Sequence, residues 1–121
     1  MSHEPITWGP LRLEDFVRYA GASGDFNPLH YDRDHARGAG MPDVIAQGMF
    51  SMGLLASSLE TWFGTGRVSE LSVRFRAPAF VGDSLVARVE EAGDGRVSVT
   101  LMRDETEIVS GRAVIGAKRD G

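Results

Sequence analysis

The chain has 121 residues, no cysteine and a formal charge of -4, with 42% hydrophobic and 25% charged residues. That size and balance suit one ordinary domain over residues 1–121, and the missing cysteines exclude disulfides, thiolate nucleophiles and Cys-ligated zinc. The acidic balance argues against a general nucleic-acid binder, which needs a basic face to neutralise phosphates. No run approaches the ~18 to 20 apolar residues of a membrane span, and Met1 to Pro10 lacks the basic start and apolar stretch of an export signal. A cytoplasmic protein away from the membrane is therefore expected.

Ile6 to Leu11 has room for a short strand. Leu13, Phe16, Val17 and Ala20 then recur at i, i+3, i+4 and i+7 between Glu14, Asp15 and Arg18, the pattern of an amphipathic helix that should end at Gly21 to Gly24. From Asp25 to Val44 the period disappears, and Pro28, Gly38, Gly40 and Pro42 interrupt whatever short turns form in this long, shaped connection. Connections longer than ~12 to 15 residues are uncommon in small domains and often functional. Ile45 to Phe63 places Met49, Phe50, Met52, Leu54, Leu55, Leu59, Trp62 and Phe63 at nearly every helical angle, which predicts a buried helix stopped at Gly64 to Gly66.

The second half changes period from near 3.6 to 2. Leu71, Val73, Phe75 and Ala77 alternate with polar residues, as do Leu85, Ala87 and Val89, and then Val97, Val99 and Leu101. Gly93-Asp94-Gly95 suits a hairpin turn, and Ile108 to Ala117 supplies another strand after the Asp104-Glu105 break. Lys118 to Gly121 reads as a solvated tail. One long apolar helix followed by antiparallel strands predicts an α+β domain whose curved sheet wraps the helix, although periodicity alone permits other helix-on-sheet folds.

The stretch Gly24-Asp25-Phe26-Asn27-Pro28-Leu29-His30 resembles, without a gap, the signature of the MaoC-like, or (R)-specific enoyl-CoA hydratase 2, family. Ala46-Gln47-Gly48-Met49 stands where that family has Ala-His-Gly-Met, and Val73-Arg74-Phe75-Arg76-Ala77-Pro78, closing with Gly82-Asp83, is similar to its strand motif. Within the family the chain most resembles catalytic subunits of mycobacterial-type (3R)-hydroxyacyl-ACP dehydratases, which share Met52-Gly53. The resemblance implies a hot-dog fold, a single antiparallel sheet wrapped around a long central helix. It also implies a hydro-lyase acting on a 2-enoyl-CoA or enoyl-ACP, with no cofactor. Asp25 and His30 would activate the water, and the N–H of Gly48 would bind the thioester oxygen. Two departures stand out: Gln47 replaces a histidine, and Gly53 replaces a serine found in several CoA-specific hydratases.

The residue types suit that chemistry. Hydrating a conjugated thioester needs one group to take a proton from water, another to give one to the α-carbon, and donors to hold the enolate oxygen. Pro28 forces Asn27 into an extended conformation, so Asp25 to His30 should form a bent loop that brings both side chains to one water, with Asn27 orienting the loop or the water. Gly48 falls at the start of the apolar helix, where N–H groups lack intrahelical partners and the helix dipole favours negative charge. Phe26, Leu29, Met49, Phe50 and Met52 are the candidates to line an acyl channel.

Taken singly, an aspartate here caps a turn and a histidine is structural; their ordered combination around Asn27-Pro28 favours catalysis. Gly48 is weighed almost evenly between close packing and oxyanion binding. His35 is read as solvated and His3 as part of a frayed start, and three histidines without ligand spacing give no metal site. Arg74 and Arg76 are a strand's polar face first, and contacts for a cofactor phosphate or an acidic carrier second. Two rival functions remain. A hot-dog thioesterase would need a carboxylate on the long helix, where Glu60 near the far end is the only acid. A non-catalytic subunit completing a partner's acyl tunnel is disfavoured because Asp25 and His30 are both retained. The expected partners are an acyl-CoA or acyl-ACP substrate and a second copy in a homodimer, with a heteromer containing a second hot-dog subunit left open. Acyl length, carrier, direction and pathway also stay open.

Overall fold

The computed structural model describes residues 3–24 and 27–116. In chain order the elements are β1 (Ile6–Trp8), α1 (Leu13–Ser23), a 3-10 turn (Pro28–His30), α2 (Arg33–Gly38), α3 (Gly48–Phe63), β2 (Val68–Phe75), β3 (Leu85–Gly93), β4 (Arg96–Arg103) and β5 (Thr106–Ile115). The strands form one antiparallel sheet in the order β1-β3-β4-β5-β2. α3 packs against β2 to β5, so the sheet wraps the long helix as expected.

The period-2 residues of β3 and β4 supply much of the core, whereas in β2 Leu71 and Val73 are half-buried and Phe75 is 50% exposed. Leu85 and Leu101, with Val109 of β5, are 0% exposed, and they meet Leu55 and Leu59 of α3, also 0% exposed. Burying a leucine of this kind contributes about 1.5 to 3 kcal/mol relative to leaving it in water. The β3–β4 hairpin turns at Asp94-Gly95, between paired Gly93 and Arg96. Both turn residues have positive φ (57° and 74°), as a two-residue turn matched to strand twist requires.

Four expectations change in the structure. α1 buries Phe16 (0% exposed) and Ala20 (2%), but Leu13 (42%) and Val17 (50%) of the same stripe stay open, so the stripe is wider than the surface covering it. The connection after α1 holds the 3-10 turn and, beyond the short turns expected there, the helix α2. The long helix begins at Gly48 rather than Ile45, because Ile45 donates its N–H to the Leu29 carbonyl and Ala46 donates to Ala79, at 3.0 and 2.8 Å, which holds them extended. Nor is that helix buried all round: Ser51, Leu55, Ser58 and Leu59 form its buried stripe, whereas Met49 is 58% exposed. A single sheet covers only one side of it.

Candidate active site

The turn before His30 follows from three adjacent residues. Asn27 precedes Pro28 and takes the extended backbone that proline imposes (φ -60°, ψ 124°). Its Oδ1 accepts the Leu29 N–H at 3.1 Å, and its carbonyl accepts the His30 N–H at 3.0 Å. Asn27 therefore shapes the loop. One 3-10 turn later the His30 side chain points inward and is 9% exposed. His30 Nδ1 lies 2.9 Å from the Ile45 carbonyl. A carbonyl can only accept, so Nδ1 carries the hydrogen and Nε2 is the basic nitrogen of the neutral ring.

Ile45 is itself held on both sides. It bridges Phe80 in antiparallel fashion, and Ala46 donates to Ala79. Just upstream, burial raises the Asp43 pKa, but this is outweighed by the Val44 N–H at 2.8 Å and the Arg33 guanidinium at 2.9 Å, so the carboxyl sits below its ordinary range. On the far side, Asp83 of the Gly82-Asp83 pair accepts from the Phe80 N–H at 2.8 Å and from Arg103 at 2.7 Å. That pair fixes the loop against which Ile45 and Ala46 lie.

Gln47 caps α3. Its carbonyl accepts the N–H groups of Phe50 and Ser51 at 3.0 and 3.2 Å, so it points into the helix. The N–H of Gly48 shares that trans-planar peptide and points the opposite way, out of the helix N-terminus. Gly48 also walls a groove of about 300 Å³ shared with Ile45, Ala46, Ser51, Phe75, Arg76, Ala77, Pro78, Ala79 and Ile108. A Cβ built on Gly48 would lie 3.4 Å from the Phe75 ring. The arrangement thus joins a tautomer-fixed imidazole, tied to Ile45, to a directed N–H at Gly48 three residues later.

Asp25 and Phe26, expected at the catalytic and acyl-lining positions, lie outside the described residues. Met49 is exposed, Phe50 packs edge-on against Phe16 and Tyr19 with ring centroids 5.6 Å apart in both pairs, and Leu29 and Met52 are half-buried. None of these four borders the groove at Gly48. The groove residues that sequence reasoning left without a role are Ile45, Ala46, Ser51, Phe75, Ala77, Pro78, Ala79 and Ile108. For Phe75, Ala77 and Pro78 a signal existed in the Val73-to-Pro78 motif. Arg76 reaches Ser110 at 3.2 Å and Glu107 at 3.9 Å beside the same groove.

Residues 2–111 match the family described as the MaoC like domain. The chain belongs to this family. It is 32% identical over 77 residues to the mitochondrial 3-hydroxyacyl-[acyl-carrier-protein] dehydratase of Arabidopsis thaliana, covering 64% of this chain and 46% of that protein. To the (R)-specific enoyl-CoA hydratase of Rhodospirillum rubrum it is 36% identical over 81 residues, covering 65% of this chain and 56% of that one. The chain therefore spans about half the length of these curated relatives. An unliganded R-hydratase from Pseudomonas aeruginosa superposes with a TM-score of 0.82 at 26% identity, covering 97% of this chain and 80% of that one. The fold is the hot-dog fold of the MaoC-like hydratases. Among the described residues no helix is long and apolar enough to cross a membrane.

Proposed function

We propose that this MaoC-like chain is an enoyl-thioester hydratase, adding water to a 2-enoyl-CoA or enoyl-ACP and, in reverse, dehydrating a (3R)-3-hydroxyacyl thioester. One observation carries the reading: His30 donates Nδ1–H to Ile45, three residues before a glycine whose N–H leaves the start of α3. In this mechanism Asp25 and His30 share one water. As its oxygen bonds to the β-carbon, a proton passes to the pair and the π electrons move toward the thioester oxygen, held by the Gly48 N–H. The enolate then collapses as the α-carbon takes a proton, restoring the site. Asn27 holds the turn, and the groove behind Gly48 receives the thioester end of the substrate. Phe26, Leu29, Met49, Phe50 and Met52 remain candidates for the acyl chain beyond it. The whole chain acts as one domain in the cytoplasm, without metal or cofactor.

The test is the loss of conjugated-enoyl absorbance with 2-enoyl-CoA substrates of increasing length, with chiral analysis of the product. Turnover to the (3R)-hydroxyacyl thioester is expected. A protein that hydrolyses the thioester and never hydrates the double bond would overturn the reading. Hydrolysis is disfavoured because Glu60 is exposed and twelve residues beyond Gly48, about 18 Å along the helix at 1.5 Å per residue.

The working unit is expected to be a homodimer. β2 is an eight-residue edge strand, and Phe75 at its end is 50% exposed beside the groove. An open edge bordered by apolar side chains is normally covered. Sedimentation at micromolar concentration should give the mass of two chains, and an active monomer would exclude this arrangement. Activity that appears only on adding a second hot-dog subunit would instead establish a heteromer.

A further inference from the structure

Gln47 is built in a way that stability does not explain. It is 2% exposed, and its Nε2 donates to the Phe16 carbonyl of α1 at 3.0 Å. Its Oε1 is buried and has no hydrogen-bond partner among the described residues. The amide cannot turn over to relieve this, since Oε1 would then face the oxygen of Phe16. Phe16 does not need the bond either, because an interior carbonyl of α1 already has a partner one helical turn on. A buried acceptor without a donor weakens a fold, and native exceptions are kept where another demand outweighs stability.

We infer that Gln47 is a positioning residue, whose buried amide holds α1, the helix that precedes Asp25 in the sequence, in register with Gly48. The inference rests on the hydratase reading given above. Three links meet within this short segment. The Gln47 carbonyl sets the direction of the Gly48 N–H, Ile45 two residues earlier orients His30, and the Gln47 side chain reaches α1. The first two are backbone links, independent of the side chain at position 47. Only the third depends on it. Removing the amide leaves the imidazole and the Gly48 N–H in place but releases the helix that leads into Asp25. Small displacements between reacting groups reduce turnover rather than substrate binding.

The experiment uses the 2-enoyl-CoA that the parent protein turns over fastest, with Gln47→Met and Gln47→His. Methionine fills nearly the same space and removes both the donor and the orphan acceptor. Its melting temperature should match or exceed the parent's, while kcat falls about tenfold and KM stays within about twofold. Histidine keeps a ring N–H for the Phe16 carbonyl and should hold kcat within about threefold of the parent. A folded methionine variant with parental kcat overturns the inference, as does a folded histidine variant no faster than methionine. A methionine variant that fails to fold, or whose rate recovers fully on cooling well below its melting point, shows a structural role and also overturns it. If the parent protein itself hydrates no enoyl thioester, the functional reading falls and this inference falls with it.

Discussion

Asp25→Asn and His30→Gln should each lower kcat by roughly 10² to 10⁴, the usual range for losing a general acid or base. Both replacements nearly keep the shape of the side chain and remove its basic group. At His30 the structure adds a specific reason: the Ile45 carbonyl takes the Nδ1 hydrogen, so the lost group is Nε2, and no amide nitrogen replaces its basicity. The stability cost should be small. Losing the hydrogen bond to Ile45 costs about 0.5 to 1.5 kcal/mol, and circular dichroism should be unchanged. The double variant should be little slower than the slower single one, since groups acting on one water are not additive. If both single variants fold and hydrate enoyl thioesters near the parental rate, the proposed chemistry is wrong. The chain would then be better read as a subunit that completes a partner's acyl tunnel.

What could be read from the sequence, and what could not, divides by distance along the chain. Three of the four long strands were legible because period 2 is a local property, and Leu85 and Leu101 do face the core, while the fourth was legible from the break at Asp104-Glu105 before it. The Asn27-Pro28 turn was legible for the same reason, since Asn27 caps a residue only two positions away. The start of α3 was not. Ile45 and Ala46 fit a helical pattern, but Leu29 and Ala79, 16 and 33 positions distant, pull them into extended backbone. The exposure of Leu13, Val17 and Met49 was equally invisible, because an apolar pattern says which face wants cover but not whether one chain supplies it. The groove shows the same division. Gly48 was found from its place in the Ala46-to-Met49 motif, whereas its sharing a groove with Phe75, Ala77 and Pro78 comes from how distant parts of the chain fold together.

Gly48→Val should lower kcat about 10² to 10³-fold, the range for losing one oxyanion donor, and change the melting temperature little. The structure separates the two effects. An added Cβ would lie 3.4 Å from Cε1 and Cζ of Phe75, a tight but yielding contact, because that ring is 50% exposed and free to turn outward. Gly48 has no positive φ for a side chain to strain, and glycine is among the weakest helix formers, so the backbone does not oppose the change. Valine's two methyl groups, however, would stand over the N–H that leaves the helix start and in the groove beside it. Gly48→Ala, adding only the Cβ, should therefore lose much less activity than valine while melting at nearly the same temperature. The graded series is the discriminating measurement, read by enoyl-CoA hydration and thermal unfolding together. If valine prevents folding while alanine does not, close packing against Phe75 is the reason for the glycine. A valine variant of normal stability and full activity would remove Gly48 from the mechanism, and the thioester oxygen would need another donor.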